Sequence, residues 1–342
     1  MLAIFDNKNN PNRWRPCERE SLAAQFGEIR EADLGDSFEE GHLTANGPIL
    51  WRLRAESLSK AALERALEIQ GRATLRQPQC NRPTGWVFAH AKDWAFRSWN
   101  RHGVPVPVFG PVRMIEDMIA LRDKLPILVR LNYLNTGEGS RLCRTYDDLL
   151  TAWQDIPMWY AHAETRYGPG VARALMWAEF IETGKEGYRY SYRIHVCGDE
   201  VVSGYARLCG MDEWVAITGK FTPAMADIFL ARNIECADFC KTHRAEIVRA
   251  VHVLGLDWQG VDVIVRQNGA PVFLEVQPYY SCGNPRYGDK PPWYNPSYPE
   301  LVAWLRANWE VVERLIPWYA ARWLHKEGHF SACAKALAKS WI

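Results

Sequence analysis

The sequence has almost no imbalance of charge. Its 342 residues carry 41 Lys and Arg against 40 Asp and Glu, a formal net charge of +1. Proteins that track nucleic acid or lie on anionic membranes concentrate cations, and no such footprint is visible across the whole chain. A paired cysteine array is also missing. The nine cysteines are odd in number and scattered without Cys-x-x-Cys spacing, which favours reduced thiols in a cytoplasmic compartment over a disulfide framework. No apolar run is long enough to span a membrane, and residues 1–5 are too short and lack the basic lead of a secretory leader. A cytoplasmic protein without a membrane partner is expected. What is plentiful is tryptophan, 16 residues, and a length that suggests two or three lobes rather than one small core.

The most informative stretch is 260–278. Two runs rich in β-branched and aromatic residues flank Asn268-Gly269, the dipeptide suited to a two-residue type I′ hairpin turn. With Asn268 and Gly269 as the central turn residues, Gln267 faces Ala270 and Asp262 lies opposite Glu275. Gln277 shares the face of Glu275, because side chains alternate along a strand. Two carboxylates and an amide oxygen make a ligand set for a hard cation such as magnesium, which takes one or two carboxylates and leaves the rest of its octahedron to phosphates and water. A solvated acidic face is the other reading of these residues. The apolar Val261, Val263, Val265, Phe273 and Val276 imply a packed hairpin, in which unpaired carboxylates are costly. On this segment alone both readings stay open.

Read in order, residues 2–5 and 49–53 are strand-like, and 59–70 has helical spacing, with Leu63, Ala66 and Leu67 on one stripe and Gly71 as a stop. Alternating strand and helix implies a small α/β layer. Arg52 and Arg54 are candidate substrate contacts there, although exposed strand arginines are commoner. Residues 91–102 form a helix stopped by Gly103-Val-Pro-Val-Pro107. Residues 126–131 are a buried strand carrying Arg130, and a loop with Gly137-Glu-Gly139 leads to a strand at 141–144. Such loops can bring backbone N–H groups to phosphate, but most are simply turns. Strands at 188–197 and 200–208 bear Arg193 and Arg207, and 224–254 is helical with a break near Asn233. Residues 298–342 read as two helices with Trp304, Trp309, Trp318 and Trp323 among the apolar positions, a stripe more often used for packing than for ligands.

The succession Lys92, Gly103-Val-Pro-Val-Pro107, Pro126-Ile-Leu-Val-Arg130, Gly137-x-Gly139, Ala178-Glu-Phe-Ile181, Arg193, Arg207, Asp262 and Glu275-Val-Gln-Pro278 resembles the ATP-grasp fold. Within it, the pattern is similar to the carboxylate-amine ligases that include ribosomal-protein glutamate ligase and D-alanine:D-alanine ligase. The resemblance covers about 88–280 and implies an α+β fold class, two α+β lobes clasping ATP. It divides the chain into an N-terminal α/β domain at 1–87, a central lobe at 88–176, a C-terminal lobe at 177–290 and a helical extension at 291–342. It implies that Lys92 and Arg130 contact ATP phosphate and that Gly137 and Gly139 belong to a loop closing over the phosphates. Glu179, Phe180 and Ile181 would form the hinge that pairs with adenine. Arg193 and Arg207 would surround the transferring phosphoryl group as catalytic residues, and Asp262, Glu275 and Gln277 would hold magnesium, or manganese in its place.

Two residues depart from the pattern. Gln277 stands where the family usually has Asn, and Ser191 sits near where relatives place an acidic ribose contact. The implied activity is an ATP-dependent ligase joining a small-molecule or peptide carboxylate to an amine through an acyl phosphate. A non-catalytic ATP-binding regulator and a phosphotransferase are the alternatives. Cys282, a lone thiol without an evident base, reads as structural or incidental. The loop at 281–296, following Tyr279-Tyr280, would shape the acceptor pocket, and the Trp-rich extension would cover the C-terminal lobe or form a homo-oligomer contact.

Overall fold

The computed structural model describes residues 2–6, 16–34, 47–53, 60–73, 77–132, 137, 139–167, 174–213, 222–278, 300, 303–304, 307–315 and 326–341. Arg54, Tyr279, Tyr280, Cys282, Trp318, Trp323 and the loop 281–296 lie outside the described residues. Among the described residues, three four-stranded sheets organise the chain. No described helix is long and apolar enough to cross a membrane.

The first sheet is parallel, ordered β2-β1-β3-β4, from β1 (Leu2–Asp6), β2 (Ile29–Asp33), β3 (Ile49–Arg52) and β4 (Gln79–Cys80). Its inner strands read as unbroken apolar runs because helices shield a parallel sheet on both faces. Leu2 to Phe5 and Ile49 to Trp51 are all buried. Helix α1 (Pro16–Phe26) and strand β2 were not legible in the sequence, whereas α2 (Lys60–Arg72) follows its Leu63–Ala66 stripe and runs one residue past Gly71. Arg52 is buried and faces Glu18 of α1 at 3.8 Å, so it is no exposed strand cation.

The second sheet is antiparallel, ordered β5-β8-β6-β7, from β5 (Phe109–Val112), β6 (Ile127–Leu131), β7 (Ser140–Cys143) and β8 (Leu175–Glu179). The boundary expected at 176/177 therefore falls inside β8, an inner strand of this sheet. Helix α5 (Ile115–Ile119) and the 22-residue helix α6 (Tyr146–Tyr167) cover one face, and Met118, Leu149, Ala152 and Trp159 pack there against Ile127 and Val129.

The third sheet is ordered β10-β9-β11-β12, from β9 (Tyr188–Cys197), β10 (Glu200–Gly210), β11 (Trp258–Val265) and β12 (Pro271–Pro278), all antiparallel. Behind it lie α7 (Ala226–Thr242) and α8 (Arg244–His252). The break expected near Asn233 occurs instead at His243. Asn233 is buried mid-helix, where it accepts from the Ala206 N–H and donates to the Phe229 carbonyl, which ties α7 to β10.

The first and third sheets share one core. Phe5, Trp51 and Ala66 belong to the same buried cluster as Ile194, Val261 and Phe273. Helices α3 (Pro83–His90) and α4 (Lys92–Arg101) join it through Trp86, Ala95, Phe96 and Trp99. The Trp99 Nε1 donates to the Ala250 carbonyl at 2.6 Å. The C-terminal helix Lys326–Ser340 adds a second seam, where Phe330, Cys333 and Leu337 pack on Leu2, Leu22, Cys197 and Trp258. Trp304 meets Phe229 edge-on, so this part of the Trp-rich extension packs against α7.

Candidate functional site

The hairpin β11–β12 reaches its key pairing by an unexpected route. The Arg266 N–H donates to Ala270 O and the Gly269 N–H to Arg266 O, so residues 267–269 form a three-residue turn rather than the two-residue turn centred on Asn268-Gly269. Gly269 has φ +84°, the left-handed residue that such a loop requires. Near the turn the register is one residue off the expected one, with Val263 facing Phe273. A bulge between Asp262 and Val263 restores it, and Asp262 does face Glu275. Two irregularities cancel.

Four cations converge on these carboxylates. Arg193 lies opposite Asp262 on β9 and Arg207 faces Ser191 from β10, so both project from the same sheet face. Asp262 accepts from Arg193 Nε and, at 2.8 Å, from Arg193 Nη2. Arg207 Nη2 lies 2.7 Å from Asp262 Oδ2. The Arg193 pKa is raised, because Asp262 outweighs the burial that would lower it. Lys92, at the start of α4 and only 4% exposed, places Nζ 3.5 Å from Glu275 Oε2. Burial lowers its pKa to about 8, with Glu275 opposing and Arg130 reinforcing the fall. The Arg130 pKa is likewise lowered by burial against the pull of Glu275. Burial would raise the Glu275 carboxyl, but Lys92, Arg130 and Arg193 hold it down at about 2. Gln277 Nε2 donates to Glu275 Oε1 at 2.7 Å, leaving the Gln277 oxygen as the amide's remaining acceptor.

A cleft of about 930 Å³, counting its open mouth, runs from this cluster to the segment that follows β8, Phe180 to Thr183. Its polar end has Arg130, Gly137, Arg207, Asp262 and Glu275; its apolar wall has Leu128, Phe180, Ile181, Ile264 and Leu274. Ile181 packs on Ile264, Val272 and Leu274. Gly137 and Gly139 have φ of +80° and +57°, and Ser140 Oγ donates back to Gly137 O. Glu179 is fixed on the connecting segment by a bidentate pair with Arg266, both contacts 2.7 Å. Its N–H donates to Val108 O, and the Phe180 N–H to Pro126 O.

No family model matches the sequence, and neither does any curated protein. Solved structures do match. The D-cycloserine synthetase DcsG superposes with a TM-score of 0.54 over 100% of this chain and 99% of its own, at 15% identity. A RimK domain ATP-grasp protein from Sphaerobacter thermophilus DSM 20745 gives 0.51 over 80% of this chain and 89% of its own, at 17% identity. The ATP-grasp ligase PsnB, complexed with a minimal precursor, gives 0.51 over 82% and 91%, at 13% identity. This chain has the ATP-grasp fold.

The ATP-grasp cleft gathers residues that sequence reasoning had proposed from scattered motifs, and it adds others. Arg189 of β9 closes the wall beside Phe180. Its Nε and Nη2 contact the Glu182 oxygens at 2.8 Å each, and its guanidinium lies over the Phe180 ring at 5.4 Å. Asn132 accepts from the Asp93 N–H and donates to the Asp93 carboxylate, anchoring the start of α4 that carries Lys92. His90, just before α4, lies tilted against Trp86 with ring centroids 4.4 Å apart, and burial with Lys92 nearby lowers its pKa to about 4. No local pattern marks Arg189, Arg266 or Asn132, because each acts on a residue brought near only by folding.

The donor set suits an anionic, oxygen-rich ligand together with a hard cation. The Ser191 Oγ and Arg207 Nε atoms are buried and without hydrogen-bond partners among the described residues, and both residues line the cleft. They are polar groups suited to an oxygen-rich ligand. Asp262, Glu275 and the Gln277 oxygen are hard donors suited to magnesium.

Proposed function

We propose that this protein is an ATP-dependent carboxylate–amine ligase, with ATP bound in the cleft between the second and third sheets. The observation that carries this reading is the convergence of Lys92, Arg130, Arg193 and Arg207 on Asp262 and Glu275 at one end of a cleft whose other end is apolar. A base would lie between Ile181 and Ile264. The N–H groups of Glu179 and Phe180 already serve Val108 and Pro126, so base pairing would fall to the Ile181 amide and to hinge carbonyls.

In the proposed reaction a substrate carboxylate oxygen bonds to the γ-phosphorus of ATP, and the bond to the ADP oxygen breaks. The amine nitrogen of the second substrate then bonds to the acyl carbon, phosphate leaves with the former carboxylate oxygen, and the nitrogen loses a proton. Lys92 and Arg130 would hold the phosphates, and Arg193 and Arg207 would face the charge on the phosphoryl oxygens, which is where electrostatic stabilisation lowers the barrier. Gly137 and Gly139 would let the loop backbone approach those oxygens and exclude water. Magnesium bound by Asp262, Glu275 and Gln277 would supply a Lewis acid to the same oxygens. No protein nucleophile is required.

The relatives by fold include a D-cycloserine synthetase and a ligase complexed with a minimal precursor. Both a small-molecule acid and a peptide acid therefore belong in the screen. The test is ADP and phosphate release from magnesium and ATP with pooled acids, peptides and amines, beside the double variant Asp262→Ala, Glu275→Ala. Turnover that requires both an acid and an amine and vanishes in the variant supports the ligase. A stable phosphorylated product without amine demand would identify a phosphotransferase, and ATP binding without turnover in any pool would favour a regulator.

A further inference from the structure

The geometry points to a triphosphate as the first ligand of this cleft, bound ahead of and without a divalent cation, with Arg193 and Arg207 passing from Asp262 to phosphate oxygens as it binds. The inference rests on the nucleotide reading and adds an order to it. Among the described residues, the other charged groups lining the cleft cancel in pairs: Arg189 is matched by Glu182 and Glu179 by Arg266. What remains at the polar end, among the described residues, is Lys92, Arg130, Arg193 and Arg207 against Asp262 and Glu275, two more cations than acids. A cluster with that sign attracts a polyanion and repels a free dication.

The carboxylates are also committed. Both Asp262 oxygens face guanidinium groups, and Glu275 meets Gln277 through one oxygen and Lys92 through the other. A dication arriving alone would have to displace these contacts and shed its own water, which magnesium does reluctantly. Among the described residues, no group of three or more His, Cys, Asp or Glu could hold a metal ion. A triphosphate meets the opposite situation. Arg207 and Ser191 are register partners on β10 and β9, and Arg207 Nε and Ser191 Oγ are buried without hydrogen-bond partners among the described residues. Phosphate oxygens would give them bonds that offset the Asp262 contact Arg207 gives up. Once guanidinium groups turn to phosphate, Asp262 is released, the local charge becomes negative, and the carboxylates can accept a cation. The coupling is reciprocal: whatever the triphosphate does for the cation, the cation does for the triphosphate.

The experiment uses the full chain, with calorimetry and thermal shift in three conditions: sodium tripolyphosphate in EDTA, magnesium chloride alone, and both together. Tripolyphosphate in EDTA is expected to bind and to raise Tm, weakening as salt is added. Magnesium alone is expected to leave both signals unchanged, and its affinity should rise at least tenfold once tripolyphosphate is present. Arg207→Gln should weaken tripolyphosphate at least tenfold; unchanged binding by the double variant Arg193→Gln, Arg207→Gln would place the polyphosphate elsewhere and overturn the inference. Magnesium binding to the free protein as tightly as to the complex would also overturn it. So would ATP that binds only when magnesium is supplied, although the nucleotide reading would then survive. Failure of ATP to bind under any condition would remove both.

Discussion

Replacing Asp262 with Asn should destabilise the protein before any substrate is considered. Three charge-assisted contacts meet at this carboxylate, two from Arg193 and one from Arg207, and the three side chains are 6%, 13% and 12% exposed. Asn is nearly isosteric and keeps one oxygen acceptor, but the charge is gone and two guanidinium groups stay buried around an amide. Breaking one partner out of a buried ion pair costs about 3–5 kcal/mol. Glu275 still faces Arg193, and the Asn oxygen retains one bond, which places the expected loss near the lower figure, about 3 kcal/mol. At roughly 2 °C per kcal/mol for a chain of this size, Tm should fall by about 6 °C. Thermal unfolding at neutral pH and low salt, with the ligand-free protein, measures this directly. Tripolyphosphate should recover more of the loss in the variant than it adds to the parent, since it supplies the missing counter-charge. An unchanged or higher Tm would refute the reasoning: the arginines would then be solvated well enough that Asp262 does not hold them.

Four further outcomes follow from the same contacts. Because the fold holds Glu275 at about 2 against an ordinary 4.5, its stabilisation is complete above pH 4.5 and lost as pH falls toward 2. Urea unfolding across that window should show Glu275→Gln losing less stability than the parent, by up to about 3 kcal/mol. Glu179→Gln and Arg266→Ala should each cost about 1–2 kcal/mol, and a double-mutant cycle should give a coupling of about 1 kcal/mol; simple additivity would mean the bidentate pair contributes nothing. Gly85→Ala would bring its Cβ to 2.5 Å from Gly255 O and 2.6 Å from Leu254 O, both backbone atoms that cannot step aside. A loss of about 1–3 kcal/mol is expected, read as a fall in urea midpoint. Asn233→Ala strands the Ala206 N–H and should cost about 1–3 kcal/mol in the same assay, with far-UV circular dichroism unchanged.

Much of the third sheet was legible because strand alternation and glycine turns are local signals. Tyr188–Cys197 has the bounds its residue pattern gives. The hairpin at 258–278 shows how local reasoning can reach the right pairing by the wrong path. A two-residue turn without a bulge and a three-residue turn with one place Asp262 opposite Glu275 equally well, and the sequence cannot separate them. The break in the helical region illustrates the opposite. Asn233 looked like a helix breaker, yet its amide is satisfied by Ala206 and Phe229, partners supplied only by tertiary packing. Helix α6 hid for a related reason, since its Pro157 and mixed polarity mask the period that Leu149, Ala152, Ile156 and Trp159 follow. At the cleft, individual cations could be nominated from order and spacing. Which acid each one neutralises, and hence the net charge left over, depends on geometry.

The shared core described above has a mechanical meaning. The first sheet, the third sheet, α3 and α4 are interlocked by apolar packing, and the C-terminal helix rivets α1 to β9 and β10. The second sheet keeps a core of its own, built on Met118, Ile127 and Trp159. Met176 and Ala178 of β8 nonetheless belong to the first core, so the two bodies of packing meet along that strand. Lys92, Asp262 and Glu275 stand on elements of the shared core and Arg130 on the second sheet, so the charge balance of the cleft depends on how the two packings are seated against each other.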